Sequence, residues 1–238
     1  MLYFLLILFL LVWGIFIYHV IRNKRLEGFF YKGFSSLLFI LIYSYGLYDY
    51  VINKDNDLQL LLLEYKYIRL FVFLGLGLVC GLIGDLFLEV QYFYNKKKFY
   101  QINQGMIVFL LGHIFYILGM SFFMSFSYWS LLVGAIMTGV VYLGSKLMKI
   151  QFGKLASMSY IYTFVIFTMV GLAVIKAFEL NFSGFSLSFM LGAIFFGISD
   201  LVLAPIYFQE KSNPVFAIIN LSTYYLGQVL IALSISFL

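Results

Sequence analysis

The sequence predicts an all-α fold: a polytopic membrane bundle of about eight transmembrane helices, arranged as two parallel four-helix repeats. Three observations carry that prediction. The 238 residues are 64% hydrophobic and 11% charged, with a mean hydropathy of +1.03. A soluble domain carries about 25% charge, so a chain this apolar needs lipid as its solvent. The apolar residues also fall into eight runs, each near the roughly 20 residues a helix needs to cross the hydrocarbon. Finally, Asp85 and Asp200 each interrupt a long apolar run and lie 115 residues apart, the interval that also separates Leu111-Gly112-His113 from Leu226-Gly227-Gln228.

The first run, 2–21, lacks an N-terminal positive region and a small-residue cleavage site, so it reads as an N-out anchor and not a signal peptide. Its charges follow it, in Arg22-Asn-Lys-Arg25. The second run, 33–52, ends among Tyr43, Tyr45, Tyr48, Asp49 and Tyr50, an aromatic belt at a membrane interface. Asn53-Lys-Asp-Asn-Asp57 separates it from 67–88, and Asn95-Lys-Lys-Lys98 precedes 105–124. Only Ser125-Phe-Ser127 divides that run from 127–145. Three more follow, 157–177, 185–204 and 215–236, with Glu210-Lys-Ser-Asn-Pro214 between the last two. Little chain is left for a soluble domain. Residues 1–238 therefore read as one integral membrane domain with halves of about 1–124 and 125–238. Four spans per half is an even number, which makes the repeats parallel.

Loop lysines and arginines set the orientation. The side reached after the first span holds Arg22, Lys24, Arg25, Lys32, Lys96, Lys97, Lys98, Lys146, Lys149, Lys154 and Lys211, and the other side only Lys54, Lys66, Arg69 and Lys176. The positive-inside rule then expects both termini outside a cell membrane, such as a bacterial inner membrane. The +5 net charge follows from this bias and does not point to nucleic acid. Lys96-Lys-Lys98 reads as a topology signal and a contact for lipid phosphate. The single cysteine, Cys80, can form no intrachain disulfide. The sequence does not fix an oligomeric state.

An ionisable group inside hydrocarbon costs about 2.5–3.5 kcal/mol by insertion scales and marks a functional site by default. In this orientation Asp85 and Asp200 each lie about one turn from the cytoplasmic end of their span. Lys32 falls at the cytoplasmic mouth, Asn220 and Tyr224 one to two turns in, and His113 and Gln228 near mid-membrane, all able to line one cavity. Gly77, Gly81 and Asp85 share a stripe with Gly84 beside it, and Ala193, Gly197, Asp200 and Ala204 make a matching one. Asn220, Tyr224 and Gln228 form a polar stripe, and Phe109, His113 and Tyr116 another. Hydrogen bonding between helices accounts equally well for Asn220, Gln228 and the tyrosines, but not for two aspartates at equivalent depth. His19 reads as interfacial and Glu89 as a headgroup-zone residue.

Absences narrow the chemistry. The chain has no Gly-x-Ser-x-Gly elbow and no Gly-x-x-x-x-Gly-Lys loop. With two histidines and one cysteine it cannot assemble the usual zinc site, so no metal and no cofactor are expected. Carboxylates, a membrane-buried histidine, a lysine and tyrosines remain, an inventory suited to general acid–base catalysis.

Gly81-Leu-Ile-Gly-Asp85-Leu-Phe-Leu88 resembles the Ser-x-x-Gly-Asp-x-x-Leu element of the YhhN family, the lysoplasmalogenases. Gly105, Phe109, His113 and Tyr116 match its Gly-x3-Phe-x3-His-x2-Tyr pattern. Tyr162 and Met169 look like its Tyr-x6-Met, and Gly192-Ala-x2-Phe196-x2-Ser199-Asp200 is similar to its best-defined signature. Tyr224-Tyr225-x2-Gln228-x-Leu230-Ile231 resembles the closing motif, so the likeness runs over about 30–235. Gly81 departs from the family's Ser, and Gly33 from a usual Lys-Pro pair after Lys32; both bear on the fine shape of the pocket. The resemblance implies hydrolysis of the vinyl ether bond of a lysoplasmalogen, an alkenyl-glycerophosphoethanolamine or -choline. The products would be a fatty aldehyde and a glycerophospho-base. Asp85 and Asp200 would be the catalytic pair, with Lys32, His113, Tyr116, Tyr162, Ser199, Asn220, Tyr224 and Gln228 binding substrate or supporting the aspartates. Which aspartate is the acid stays open. A proton-coupled transporter or lipid translocator would use the same buried carboxylates. Against it, Pro205 and Pro214 are placed at or beyond the end of span seven, leaving no proline break within a helix. A scaffold without catalysis leaves the paired aspartates unexplained.

Overall fold

The computed structural model describes residues 1–52, 65–93, 98–209 and 213–238. Its eight long helices are α1 (Leu2–Ile21), α2 (Arg25–Ile52), α3 (Tyr65–Val90), α4 (Lys98–Met124), α5 (Trp129–Leu147), α6 (Ala156–Glu179), α7 (Gly184–Phe208) and α8 (Pro214–Ser234). All eight spans are long and apolar enough to cross a membrane, and no strand occurs among the described residues. The polytopic helical bundle predicted from the sequence is therefore present. Several helices outrun their apolar stretch: α2 begins at Arg25 and α4 at Lys98. A helix need not stop where the hydrocarbon stops, because its own backbone hydrogen bonds continue into polar sequence.

The breaks have local causes. Asn23 takes a left-handed φ of 54° between α1 and α2, and Ser125 one of 69° between α4 and α5. Asparagine tolerates that region better than most residues. The α7 start is capped by Ser183, whose hydroxyl accepts from Ser186 N, and the α8 start by Asn213, which accepts from Val215 N at 2.9 Å ahead of Pro214. Pro205 corrects the sequence reading: it lies inside α7, one turn before its end. Its ring removes the N–H that would bond Leu201 O, yet the last turn still forms, with Gln209 N closing on Pro205 O at 3.2 Å. The breaks at 53–57 and 210–212 and the lysines Lys96 and Lys97 lie outside the described residues.

Two helix pairs approach at glycine. A Cβ on Gly112 of α4 would stand 3.2 Å from Gly77 O of α3, and one on Gly227 of α8 2.9 Å from Gly192 O of α7. Backbone blocks a side chain at both contacts, so α3 packs on α4 and α7 on α8 at close range. Helix α6 is the most enclosed span, while α1 and α5 are the most open. Their outer faces carry Ile7, Leu10 and Leu11, and Leu132, Ile136 and Leu143, all exposed. Apolar residues exposed in this pattern suit a lipid surround. The residues singled out above gather at the end of the bundle where α2, α6 and α8 begin and α3 and α7 finish.

Candidate active site

Asp85 sits in the last turns of α3, 2% exposed, on the buried face that carries Gly77, Gly81 and Gly84. Those glycines let α4 and α8 come close enough for side chains to converge. Lys32 Nζ of α2 is 3.5 Å from Asp85 Oδ1 and 3.2 Å from Glu89 Oε1. Ser36, one turn beyond Lys32, donates to Asp85 Oδ2 at 2.6 Å, and Tyr224 of α8 donates to the same oxygen at 2.8 Å. Tyr225 donates to Lys32 O at 3.2 Å, tying the start of α2 to α8. Behind Tyr224 the chain of bonds continues inward. Gln228 Nε2 donates to Tyr224 Oη at 3.3 Å, and Tyr116 donates to Gln228 Oε1 at 3.0 Å. A Cβ on Gly81 would stand 2.5 Å from Gln228 Nε2, so the glycine makes room for that amide.

Asp200, in α7, is differently furnished. Tyr162 of α6 donates to its Oδ2, and Tyr162 Oη lies 3.1 Å from His113 Nε2. His113 is 1% exposed, and its Nδ1 has no hydrogen-bond partner among the described residues. No Lys or Arg pairs with Asp200 among the described residues. Next to it, Asn220 Nδ2 donates to both Ser199 O and Ser199 Oγ at 2.9 Å, fastening α8 to α7. Phe109, Phe196 and Tyr224 pack edge to face between the aspartates, with centroids 5.2–6.1 Å apart.

Two cavities meet here. The polar one, about 560 Å³, is bordered by Arg25, Lys32, Asp85, Glu89 and Asn220 among others. The second, about 300 Å³, is apolar and lies between α5, α6 and α7, with Val140, Gly144, Tyr162 and Phe167 on its walls. Asp200, Leu88, Phe109, Leu203 and Tyr207 border both. Asp85 borders the polar cavity alone. At the polar mouth the Arg25 guanidinium lies over the Tyr92 ring, 4.0 Å from its centroid. Burial, and then the Glu89 carboxylate, push the Tyr92 phenol above its ordinary range, so it stays neutral.

The structure thus brings Lys32, Asp85, Ser199, Asp200, Asn220 and Tyr224 to one cavity and puts Tyr162 on the other. His113 and Gln228, expected to line the cavity, border neither; nor does Tyr116. His113 and Gln228 each follow directly on a close-approach glycine, Gly112 and Gly227, where the helices touch and leave no space. They back the aspartates through hydrogen bonds instead. Sequence reasoning missed Ser36, Arg25, Gln91 and the apolar cavity, and placed Glu89 only in the headgroup zone. Helical spacing held a signal for two of them, since Ser36 stands four residues from Lys32 and Glu89 four from Asp85. No group of three His, Cys, Asp or Glu placed to hold a metal ion occurs among the described residues. Compared with models of protein families, residues 58–235 match that of the YhhN family. No curated protein and no solved structure matches the chain.

Proposed function

The chain belongs to the YhhN family, and on that premise we propose that it hydrolyses the vinyl ether bond of a single-chain lysoplasmalogen. The observation that carries this reading is the position of Asp200 on the boundary between an apolar and a polar cavity. A lysoplasmalogen has the same division. Its alkenyl chain is apolar, its glycerophospho-base is polar, and the scissile group lies at the junction.

In that pose the chain occupies the apolar cavity and the headgroup the polar one. Both vinyl carbons lie on the chain side of the ether oxygen, the α-carbon bonded to that oxygen and the β-carbon one bond further into the chain. Asp200 carries the proton: a carboxyl facing a low dielectric with no cation beside it is stable in its neutral form. It delivers that proton to the β-carbon, and the double-bond electrons form the new C–H bond. The α-carbon and ether oxygen then share an oxocarbenium charge, the type of cation that paired carboxyls also manage in glycosidases. Asp85 is the ionised partner, its charge balanced by Lys32 and by hydrogen bonds from Ser36 and Tyr224. It stabilises the cation and takes a proton from the water that adds to the α-carbon. The resulting hemiacetal collapses to aldehyde as the C–O bond breaks and the glycerol oxygen is protonated. The net reaction consumes one water, and the proton lent by Asp200 is returned.

Purified protein incubated with lysoplasmalogen tests the reading through release of free aldehyde. Aldehyde that appears with wild type and vanishes with Asp200→Asn supports it; no release from well-folded wild type overturns it. If both termini lie outside, as the lysine and arginine bias expects, the polar cavity opens to the cytoplasm. A reporter fused after Leu238 reads that orientation, and a cytoplasmic signal would reverse it.

A further inference from the structure

The polar cavity separates its charges. Arg25 borders it from the start of α2, stacked on Tyr92. Glu89 and Gln91 border it from the end of α3. Gln91 is 1% exposed and donates Nε2 to Leu88 O at 2.6 Å, which fixes the direction of its amide. Tyr207 hydrogen-bonds the same amide, and Oε1 itself accepts no hydrogen bond among the described residues. Leaving a buried acceptor unmet is unfavourable, and a ligand that brings the donor removes that cost. Glu89 stands two residues away, sharing the Lys32 ammonium with Asp85 and so only partly neutralised.

From this arrangement we propose that Glu89 and Gln91 Oε1 form a subsite for a primary ammonium group, with Arg25 facing the phosphate. The enzyme would therefore select an ethanolamine over a choline headgroup. The inference rests on the reaction proposed above for its substrate class. A primary ammonium has three N–H donors, which suit a carboxylate and a bare amide oxygen. A trimethylammonium has none and is recognised through aromatic faces; of the two rings beside this pair, Tyr92 is covered by Arg25 and Tyr207 turns its hydroxyl to the Gln91 amide. Charge balance favours a zwitterionic headgroup of either kind over an anionic one. Arg25 and Lys32 offset Glu89 and the ionised Asp85, so a zwitterion enters without excess charge. A phosphomonoester lacking the ammonium leaves the cavity net negative.

Binding tests this without turnover. Wild-type protein in nanodiscs is titrated with glycerophosphoethanolamine and, separately, with glycerophosphocholine. The ethanolamine compound should bind roughly tenfold tighter, the effect of a charge-assisted hydrogen bond of about 1.4 kcal/mol. Glu89→Gln and Gln91→Leu should each bring the two affinities together. Gln91→Leu leaves both Lys32 ion pairs in place, so it separates a lost ammonium contact from a disturbed lysine. Equal affinities in wild type, no binding of either compound, or a preference that survives both substitutions would overturn the subsite. Neither titrant contains a vinyl ether. Selective binding by a protein that releases no aldehyde would keep the subsite and sink the reaction, whereas aldehyde release without headgroup preference would do the reverse.

Discussion

Asp85 and Asp200 occupy matching points of α3 and α7, yet their surroundings differ in kind. Asp85 borders the polar cavity alone, with a lysine and two hydroxyl donors on its oxygens. Asp200 opens onto two cavities and holds a single phenol. The difference arises beside the aspartates. Four residues after Asp85 stands Glu89, while four after Asp200 stands Ala204. Helix α2 brings Lys32 to Asp85, but the one lysine of α6, Lys176, sits at the far end of the bundle, 2.7 Å from Glu179. A charge persists in a low dielectric where a counter-charge and donors meet it, and a carboxyl without them keeps its proton. The contrast is what underlies the proposal that Asp200 is the acid and Asp85 the ionised partner.

The largest effects should come from erasing that contrast. Asp200→Asn and Asp85→Asn each preserve shape but remove proton transfer, which contributes about 10²–10⁴-fold. Groups acting as a unit are not additive, so the double variant should be little slower than the worse single one. Aldehyde release from purified variants measures this. Near wild-type rates in either well-folded single variant would end the assignment. Loss of lipid or ion uptake in proteoliposomes by those same variants would favour transport instead.

Lys32→Met attacks one side of the comparison only. It leaves the buried Asp85 and the half-buried Glu89 without their cation, and breaking a buried pair costs roughly 3–5 kcal/mol. Thermal unfolding should fall sharply, and activity by about a hundredfold. Adding Asp85→Asn should recover much of the lost stability while the protein stays inactive. Tyr162→Phe strands no charge and loses only the phenol's hydrogen bonds, so it should lower the unfolding temperature less than Lys32→Met does. A thermal loss for Tyr162→Phe equal to that of Lys32→Met would mean Asp200 is also held as an anion.

The eight spans and the break at Ser125 were legible because apolar runs of transmembrane length and their polar interruptions are local features of the sequence. The aspartates were legible because a carboxyl in hydrocarbon is rare whatever surrounds it. What escaped was pairing across helices. The 115-residue interval relates α3 to α7 but says nothing of Ser36, which reaches Asp85 from α2, or of the apolar cavity between α5, α6 and α7. Pro205 was misplaced for a related reason: apolarity fades near it, but the backbone ladder of α7 continues to Phe208. The expectation that His113 and Gln228 face open space failed because a mid-helix polar residue looks the same in sequence whether it borders a cavity or a tight contact.

The two cavities give the comparison a second axis. A Cβ at Gly144 would meet nothing within 4 Å, and Gly144 borders the apolar cavity. Gly144→Phe should fold normally and occupy space meant for the alkenyl chain. Each buried methylene is worth about 0.8 kcal/mol, so excluding two should raise KM on the order of tenfold for a long-chain substrate. A short-chain vinyl ether should be affected much less. Equal loss for both chain lengths would show that the substrate lies elsewhere.

The smallest effect is expected at His113, which touches Asp200 only through Tyr162. His113 and Gln228 hold the same place after their glycines, and Gln228 already serves there as an amide bonded to the tyrosine that meets Asp85. His113→Gln keeps a side-chain amide near Tyr162 Oη and changes no group that faces a cavity. Activity should fall by no more than about tenfold, with KM nearly unchanged, because the substrate pose is set by residues that do border the cavities. Tyr162→Phe should cost more, since it removes the only hydrogen bond described for Asp200. If His113→Gln instead matched Asp200→Asn in aldehyde release, the imidazole would be carrying the proton itself. Asp200 would then be the last member of a relay that begins on α4, and the chemical contrast between the two aspartates would have to be drawn at His113 and Gln228.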